Sequence, residues 1–322
     1  MKKQIVQGVA AVTMLLGAGI ARAAPTYTVQ TVQFPTDPGF TKLLGINNTG
    51  TIAGFYGATT ASGFTLTLPA TFTKRDFPGS EMSMATAINI VGDTAGNYQD
   101  ITGATHGYTS IADVFTTVDD PASNVFNQAL GINGGNVTVG YFSADKAAGQ
   151  TGQYAYSQSG GVFTDISGKL PANKNSQAAG INDARNVVGF YLPASGPVTS
   201  TGFLDVDGTI STINPFASLN THSLGINDTG EIVGVYTDAD GKQHGYTDIG
   251  GVFGSFDPAG SVNTTINGVN RLGQIVGFFT DAKGNVVGFV GTPTDATVPE
   301  PASLALLGAG LLGLVGLRRR RR

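Results

Sequence analysis

The chain has 322 residues, 47 of them glycine and none of them cysteine, so disulfides, zinc–thiolate sites and cysteine nucleophiles are excluded. Its formal charge is −4 overall, but residues 24–297 contain 10 basic and 21 acidic residues, a net charge of −11. This charge would repel phosphate backbones and anionic lipid headgroups, and no basic patch with interleaved aromatics occurs. The composition therefore predicts no nucleic-acid partner.

The first 23 residues have the pattern of a secretory signal peptide. A positive start, a short and mostly apolar core, and a small-x-small site follow one another as Lys2-Lys3, Val9–Ile20 and Ala21-Arg22-Ala23. We expect cleavage between Ala23 and Ala24. The pattern predicts an exported protein, and a domain of about 270 residues can be held by its core alone.

Residues 24–297 contain six copies of one segment, of which GINDTGEIVGVY at 225–236 is an example. Each copy has an anchor asparagine, a glycine seven residues later and an aromatic residue nine residues later. The anchors are Asn47, Asn89, Asn133, Asn182, Asn227 and Asn270; the glycines are Gly54, Gly96, Gly140, Gly189, Gly234 and Gly277; the aromatics are Tyr56, Tyr98, Phe142, Tyr191, Tyr236 and Phe279. Successive anchors lie 42 to 49 residues apart, which is typical of propeller blades.

Each copy predicts four short strands, which in the fifth copy are HSLGIN, EIVGVYTD, QHGYTDI and VFGSFD. The sixth copy lacks its fourth strand, and Tyr27–Gly39 resembles that strand and its crossover loop. The sequence therefore predicts an all-β, six-bladed propeller that the mature N-terminal strand closes, which removes both sheet edges. An open β-solenoid is the alternative. We interpret the recurring Asn, Gly and aromatic residues as turn, packing and core residues.

Two third strands contain His-Gly-Tyr, beginning at His106 and His244, each 17 residues after its anchor. With the preceding Gly-Ile-Asn and Val-Gly, this pattern resembles the HAF repeat family of bacterial extracellular proteins. Glycine stands where that family has alanine, and four copies lack the histidine. The resemblance implies an extracellular location and a repeat fold, and no particular chemistry.

No motif predicts catalysis. His106 and His244 would lie in opposite blades, too far apart to share a metal, and each is most simply a strand residue hydrogen-bonded to a neighbouring loop. The third histidine is His222. No Gly-x-Ser-x-Gly elbow, Ser-x-x-Lys pair, P-loop or dinucleotide fingerprint is present. We expect a non-enzymatic protein without a catalytic residue, although a carboxylate pair that cleaves glycans has no fixed sequence spacing and stays an alternative.

Aspartates recur in the loops between second and third strands, which share one face of a propeller with the crossover loops. They are Asp100, Asp145, Asp238, Asp240 and Asp281. One interpretation is a rim of weak Ca²⁺ sites, or a cation-bridged contact with an anionic polysaccharide, because hard cations take oxygen ligands. The other interpretation is that these aspartates cap backbone amides in turns.

The last 25 residues have three parts: Pro299-Glu300-Pro301, the uncharged apolar run Ala302–Leu317, and the cluster Arg318, Arg319, Arg320, Arg321 and Arg322. A 16-residue helix reaches about 24 Å, a little short of the ~30 Å hydrocarbon core. With the arginines cytoplasmic, the preceding domain lies outside the membrane. A permanent anchor is one interpretation. The tail also resembles the PEP-CTERM sorting signal of Gram-negative bacteria, which implies recognition and removal by an exosortase.

The sequence thus predicts a signal peptide at 1–23, a propeller domain at 24–297 and a sorting tail at 298–322. We expect an exported surface or matrix protein whose partners are the secretion machinery, an exosortase, the membrane before processing, and a polysaccharide or surface partner. The PEP-CTERM resemblance also implies an association with extracellular polysaccharide and biofilm. The alternatives are a propeller enzyme that acts on glycans and a purely structural surface protein.

Overall fold

A computed structural model describes residues 25–123, 126–143, 152–171, 173–193 and 199–294. The signal peptide with Ala23 and Ala24, the rim residue Asp145, and the sorting tail with its Pro-Glu-Pro motif and arginine cluster lie outside these residues. The described residues form 24 strands and two short 3-10 helices, Ser167–Lys169 and Pro215–Ala217. None of these residues belongs to a helix that could cross a membrane.

The strands follow the sequence repeats. Strand β1 is Thr26–Val32. The first repeat contains β2–β5 at Thr41–Ile46, Ile52–Tyr56, Ser62–Thr67 and Thr71–Lys74, and the second contains β6–β9 at Met82–Ile88, Thr94–Gln99, Thr105–Ile111 and Val114–Val118. The third contains β10–β13 at Asn127–Ile132, Thr138–Ser143, Gln153–Ser159 and Val162–Asp165, and the fourth contains β14–β17 at Asn173–Ile181, Val187–Pro193, Thr201–Val206 and Thr209–Ile213. The fifth contains β18–β21 at Asn220–Ile226, Ile232–Thr237, Gln243–Ile249 and Val252–Phe256, and the sixth contains β22–β24 at Ser261–Val269, Ile275–Asp281 and Val286–Thr294.

The chain closes its ring through its first strand. Strand β1 pairs antiparallel with β24, in a register that runs from Thr26 opposite Thr294 to Val32 opposite Gly288. The resulting sheet has the order β1-β24-β23-β22. The N-terminal strand therefore occupies the place of the fourth strand that the sixth repeat lacks.

The number of separate blades differs from the prediction. Four sheets are separate and four-stranded, whereas the third and fourth repeats belong to one eight-stranded sheet. A single parallel pairing of Gln153 with Asn175 joins β12 to β14, and the Gln153 amide also donates to Asn175 Oδ1 over 3.1 Å. The prediction of six separate blades is wrong, because the start of the long strand β14 pairs with the start of β12.

Neighbouring repeats bury apolar side chains between their sheets. Between the sixth and first repeats, Leu43 and Phe64 pack with Val276 and Val290, and all four are at most 2% exposed. Complete burial of one such side chain stabilises the fold by roughly 1.5–3 kcal/mol. Since no cysteine is available to cross-link the chain, these interfaces hold the ring together.

The glycine seven residues after each anchor is required by a close approach of two backbones. A Cβ atom on Gly189 would lie 2.0 Å from the Gln177 carbonyl oxygen and 2.8 Å from the Phe203 ring. The first strand bulges opposite this glycine, between Ala178 and Gly180. The five equivalent glycines have the same first-strand carbonyl within 2.5 Å of their Cβ position, so no side chain fits there.

The anchor asparagines shape the turns between first and second strands. Asn47 Oδ1 accepts hydrogen bonds from the backbone amides of Thr49 at 3.1 Å and Thr51 at 2.9 Å. The third residue after the anchor has positive φ in every turn, +83° at Gly50 and +64° at Arg185. Glycine is favoured at this position because its backbone adopts positive φ without strain.

The same asparagines join the six repeats into a ring. Each side-chain Nδ2 donates to the backbone carbonyl of the next anchor, over 2.9–3.2 Å, and Asn270 donates back to Asn47. All six anchors are buried. Inside this ring the first strands line a channel of about 180 Å³.

We expect Asn47→Ala to lower the free energy of unfolding by about 2–4 kcal/mol, because it removes three turn bonds and one inter-repeat bond from a buried site. The matched control is Asn48→Ala. Asn48 accepts a single bond, from the exposed amide of Arg271, so this variant should lose at most about 1 kcal/mol. Urea unfolding followed by far-UV circular dichroism measures both. Equal losses in the two variants would show that the ring does not depend on the anchors.

Candidate functional site

The ring has two faces. We call the end with the six anchor turns the anchor face, and the opposite end, with the second-to-third strand loops and the crossover loops, the rim face. Third strands run from the rim face to the anchor face, so Thr294 at the end of β24, and Thr26 paired with it, lie at the anchor face. In agreement, Gln274 of an anchor turn contacts Thr292 through Nε2 and Oγ1 at 3.5 Å. Both ends of the described domain therefore leave from the anchor face.

On the rim face of the second repeat, one histidine connects two loops. His106 Nδ1 lies 2.6 Å from Asp119 Oδ2, at the start of the crossover loop. Its Nε2 lies 3.4 Å from Asp100 Oδ2, in the loop between β7 and β8. The Tyr98 ring stacks on the imidazole with a centroid distance of 5.0 Å.

The fifth repeat, on the opposite side of the ring, has the same arrangement. His244 Nδ1 lies 2.6 Å from Asp257 Oδ2, its Nε2 lies 3.0 Å from Asp238 Oδ2, and Tyr236 stacks on the ring. We call these two groups the Asp–His–Asp bridges. Each imidazole has a carboxylate at both nitrogens, so neither nitrogen is available to take a proton from a nucleophile.

The pKa values of both bridge histidines, and of Asp100 and Asp238, are shifted. Partial burial lowers the pKa of each imidazole, but the flanking carboxylates together outweigh it and raise the pKa of both histidines above the usual value. Hydrogen bonding, first from the Thr102 hydroxyl, lowers the pKa of Asp100 to about 2. The His244 hydrogen bond lowers the pKa of Asp238. At neutral pH the carboxylates of Asp100 and Asp238 are therefore charged.

The rim aspartates also accept hydrogen bonds from the backbone of the turns in which they lie. Asp281 Oδ1 accepts the amides of Lys283 and Asn285, and Asp100 and Asp238 cap their loops in the same way. Asp240 lies exposed within the turn that Asp238 caps. Among the residues that the structure describes, no group of three or more His, Asp or Glu side chains has the arrangement of a metal site.

The third histidine lines a cleft between the fourth and fifth repeats. The cleft has a volume of about 330 Å³ and lies beside the rim-face ends of the second strands β15 and β19. His222 stacks on Phe190 with a centroid distance of 3.7 Å, and its Nε2 lies 2.8 Å from Ser200 Oγ. Burial lowers the pKa of His222 to about 4, so its ring is neutral at pH 7.

The position five residues before each anchor differs from repeat to repeat. It holds Lys42, Met84, Gln128, Gln177, His222 and Thr265. In the first repeat the Lys42 ammonium lies 4.3 Å from the centroid of Phe278, the equivalent of Phe190, and burial lowers its pKa. Sequence reasoning missed this position, although variation at one place in an otherwise regular repeat is a signal for it.

Residues 297–321 match the PEP-CTERM protein-sorting motif. This match confirms the sorting signal that the sequence predicts, and it indicates an exported protein that is transiently anchored in the membrane and processed by an exosortase. No curated protein matches the chain in sequence.

The fold is similar to those of solved propellers. The TolB candidate of Agrobacterium tumefaciens has 14% identity and a TM-score of 0.55, over 84% of this chain and 100% of that chain. The β-propeller domain of the Trilobed protease of Pyrococcus furiosus, described as having an open velcro topology, has 10% identity and a TM-score of 0.51, over 86% and 89%. At these identities the likeness concerns the fold alone, and it confirms an all-β propeller.

We expect the Asp–His–Asp bridges to stabilise the protein most at mildly acidic pH. Because the folded pKa of His106 and His244 is raised above 6.5, their contribution is complete below pH 6.5 and is lost as the pH rises through the folded value. The loss of unfolding free energy in the double variant His106→Gln/His244→Gln should be larger at about pH 5.5 than at about pH 8.5. Urea unfolding at both pH values checks this.

His222→Gln is the control, and it should behave in the opposite sense. The folded pKa of His222 is lowered to about 4, so the native environment favours the neutral ring, and its contribution diminishes as the pH falls below 6.5. A double variant whose loss of stability is independent of pH would contradict the bridges.

Proposed function

We propose that this protein is a non-enzymatic surface or matrix protein, exported with a cleaved signal peptide, whose propeller binds an extracellular polysaccharide through its rim face. The observation that carries the proposal is the position of the chain ends. Only seven residues, 295–301, separate Thr294 from the apolar run that begins at Ala302, and they span at most about 25 Å. An anchored chain keeps its anchor face near the membrane and presents its rim face to the exterior.

The chemistry of the rim face supports binding rather than catalysis. The imidazoles of His106 and His244 are held between carboxylates. Ser200 and His222 are at hydrogen-bond distance, as in a serine hydrolase, but a pKa of about 4 makes His222 a weak base at pH 7. No carboxylate of the described residues contacts its Nδ1, so the orienting acid of a hydrolase triad is missing from this part of the chain.

Two further parts of the proposal concern the repeats and the rim carboxylates. The His-Gly-Tyr third strands support a relationship to HAF-type repeats, which suits an extracellular protein. The negative charge of residues 24–297 would attract cations, and calcium that bridges the rim to an anionic polysaccharide is one way in which binding could occur. The Asx-type turns of Asp100, Asp238 and Asp281 give these carboxylates another role, so we treat calcium dependence as an outcome of the test.

Co-sedimentation tests the proposal. Residues 24–297, which contain every described strand, are mixed with the extracellular polysaccharide of the source cells, with and without a calcium chelator. We expect retention of the protein with the polysaccharide and no release of reducing ends. Asp207→Asn, an exposed turn residue of the anchor face, is the control and should leave retention unchanged.

Retention that the chelator abolishes, and that Asp238→Asn/Asp240→Asn/Asp281→Asn also weakens, would assign binding to cations on the rim. Retention in both conditions would keep the binding role without calcium. Absence of retention would contradict the proposal and favour a purely structural role, and release of reducing ends would favour the enzyme.

A further inference from the structure

The cleft between the fourth and fifth repeats has the properties of a ligand site. Its volume of about 330 Å³ lies at the lower end of the range of roughly 300–1,000 Å³ for small-molecule pockets. The fourth repeat contributes Phe190, Leu192 and Ser200, and the fifth contributes Asn220, His222 and Gln243. We infer that this cleft binds one uncharged hexopyranose ring of a glycan, an assignment that rests on the proposed polysaccharide binding and names the site for it.

The lining of the cleft selects an uncharged ligand. Among the residues that the structure describes, no Asp, Glu, Lys or Arg side chain lines it, and burial keeps the His222 ring neutral at pH 7. An anionic sugar such as a uronate would lose hydration there without gaining a cationic partner, which is unfavourable. A neutral sugar ring has no such penalty.

Polar groups in the cleft have unused hydrogen-bonding capacity. Asn220 Oδ1 accepts from the Ser200 amide at 2.8 Å and from its hydroxyl at 3.1 Å, and His222 Nε2 is engaged with the same hydroxyl. Within the described ranges, Asn220 Nδ2, His222 Nδ1 and the Gln243 side-chain amide have no partner. Such groups are suited to sugar hydroxyls.

Apolar groups complete the site. Leu192 and Val235 line the same cleft as the stacked pair of Phe190 and His222. A hexopyranose ring has a C–H face that packs on apolar and aromatic surfaces and an equatorial edge of hydroxyls. The combination of an apolar wall with a few convergent polar groups matches both parts of such a ring.

The fold does not require the histidine of the cleft. In the second repeat, on the opposite side of the ring, Met82 and Met84 stand at the positions of Asn220 and His222. Asn220 also holds the Ser200 amide, as Asn175 and Asn263 hold the amides of Gln153 and Gln243 at the equivalent interfaces. His222 occupies a position that varies from repeat to repeat, so it is the cleft residue that is free to serve binding.

Saturation-transfer difference NMR tests the inference on the full chain held in detergent. The probes are the methyl glycosides of glucose, galactose and mannose, with glucuronate as the charged comparison. We expect saturation transfer to at least one neutral glycoside, strongest at its ring C–H protons, and weaker transfer to glucuronate. His222→Met, which installs the residue of the second repeat, should weaken binding about tenfold or more.

Two variants control for folding and position. Lys42→Met changes the equivalent position of the first repeat and should leave binding unchanged. Gln243→Ala changes an exposed residue at the cleft and should weaken binding even if His222→Met proves unstable. The inference is overturned if no neutral glycoside shows transfer that these cleft variants reduce, or if glucuronate binds more tightly.

The failures of the two proposals are distinguishable. If the wild-type protein and His222→Met are retained equally by the polysaccharide, and no glycoside binds in the cleft, the polysaccharide role stands and the cleft assignment falls. If a neutral glycoside binds in the cleft but the polysaccharide of the source cells retains no protein, the cleft assignment stands and the proposed polysaccharide role falls.

Discussion

The ring of six asparagine side chains is the interaction on which the rest of the structure depends. Each anchor uses its carbonyl oxygen to fix its own turn, and this orients the amide nitrogen toward the carbonyl of the next anchor. Aspartate has no donor for the second bond, and glutamine is one methylene too long for the tight turn. A requirement for acceptor and donor on one short side chain explains why all six copies have asparagine, although nothing in the segment is chemically reactive.

The six repeats are alike where they form the ring and differ at one position of the interfaces between neighbouring repeats. The anchors, the glycines seven residues after them and the second-strand aromatics occupy fixed positions because every interface needs the same turn and the same backbone contact. Five residues before the anchor, however, the chain has lysine, methionine, glutamine, histidine or threonine. Around His222 this difference creates a cleft, and around Lys42 it places an ammonium against phenyl rings. The shared scaffold thus leaves each interface free to acquire its own chemistry.

The features that could be predicted are those with a fixed spacing along the chain. The period of 42 to 49 residues predicts the blades, and the missing strand of the sixth copy predicts its completion by Tyr27–Gly39. The Asp–His–Asp bridges join two loops in space, although the recurrence of Asp six residues before and 13 residues after both histidines was a usable signal. The cleft and the eight-stranded sheet depend on the distance between two repeats, which no local pattern in the sequence specifies.

The pairing of β1 with β24 has a consequence for how the chain is made. The paired residues Thr26 and Thr294 are 268 residues apart. The first strand to emerge from the export channel therefore cannot pair until nearly the whole domain has been exported. Until β1 pairs with it, β24 is an open edge of the last sheet, and contacts of such large sequence separation form slowly. In a second copy that has not yet paired its own first strand, β24 has the same open edge and can pair with β1 of the first copy. Exchange of β1 between two chains would link them as a domain-swapped dimer without any new interface. A high local concentration of newly exported copies therefore favours both misfolding and the formation of such dimers.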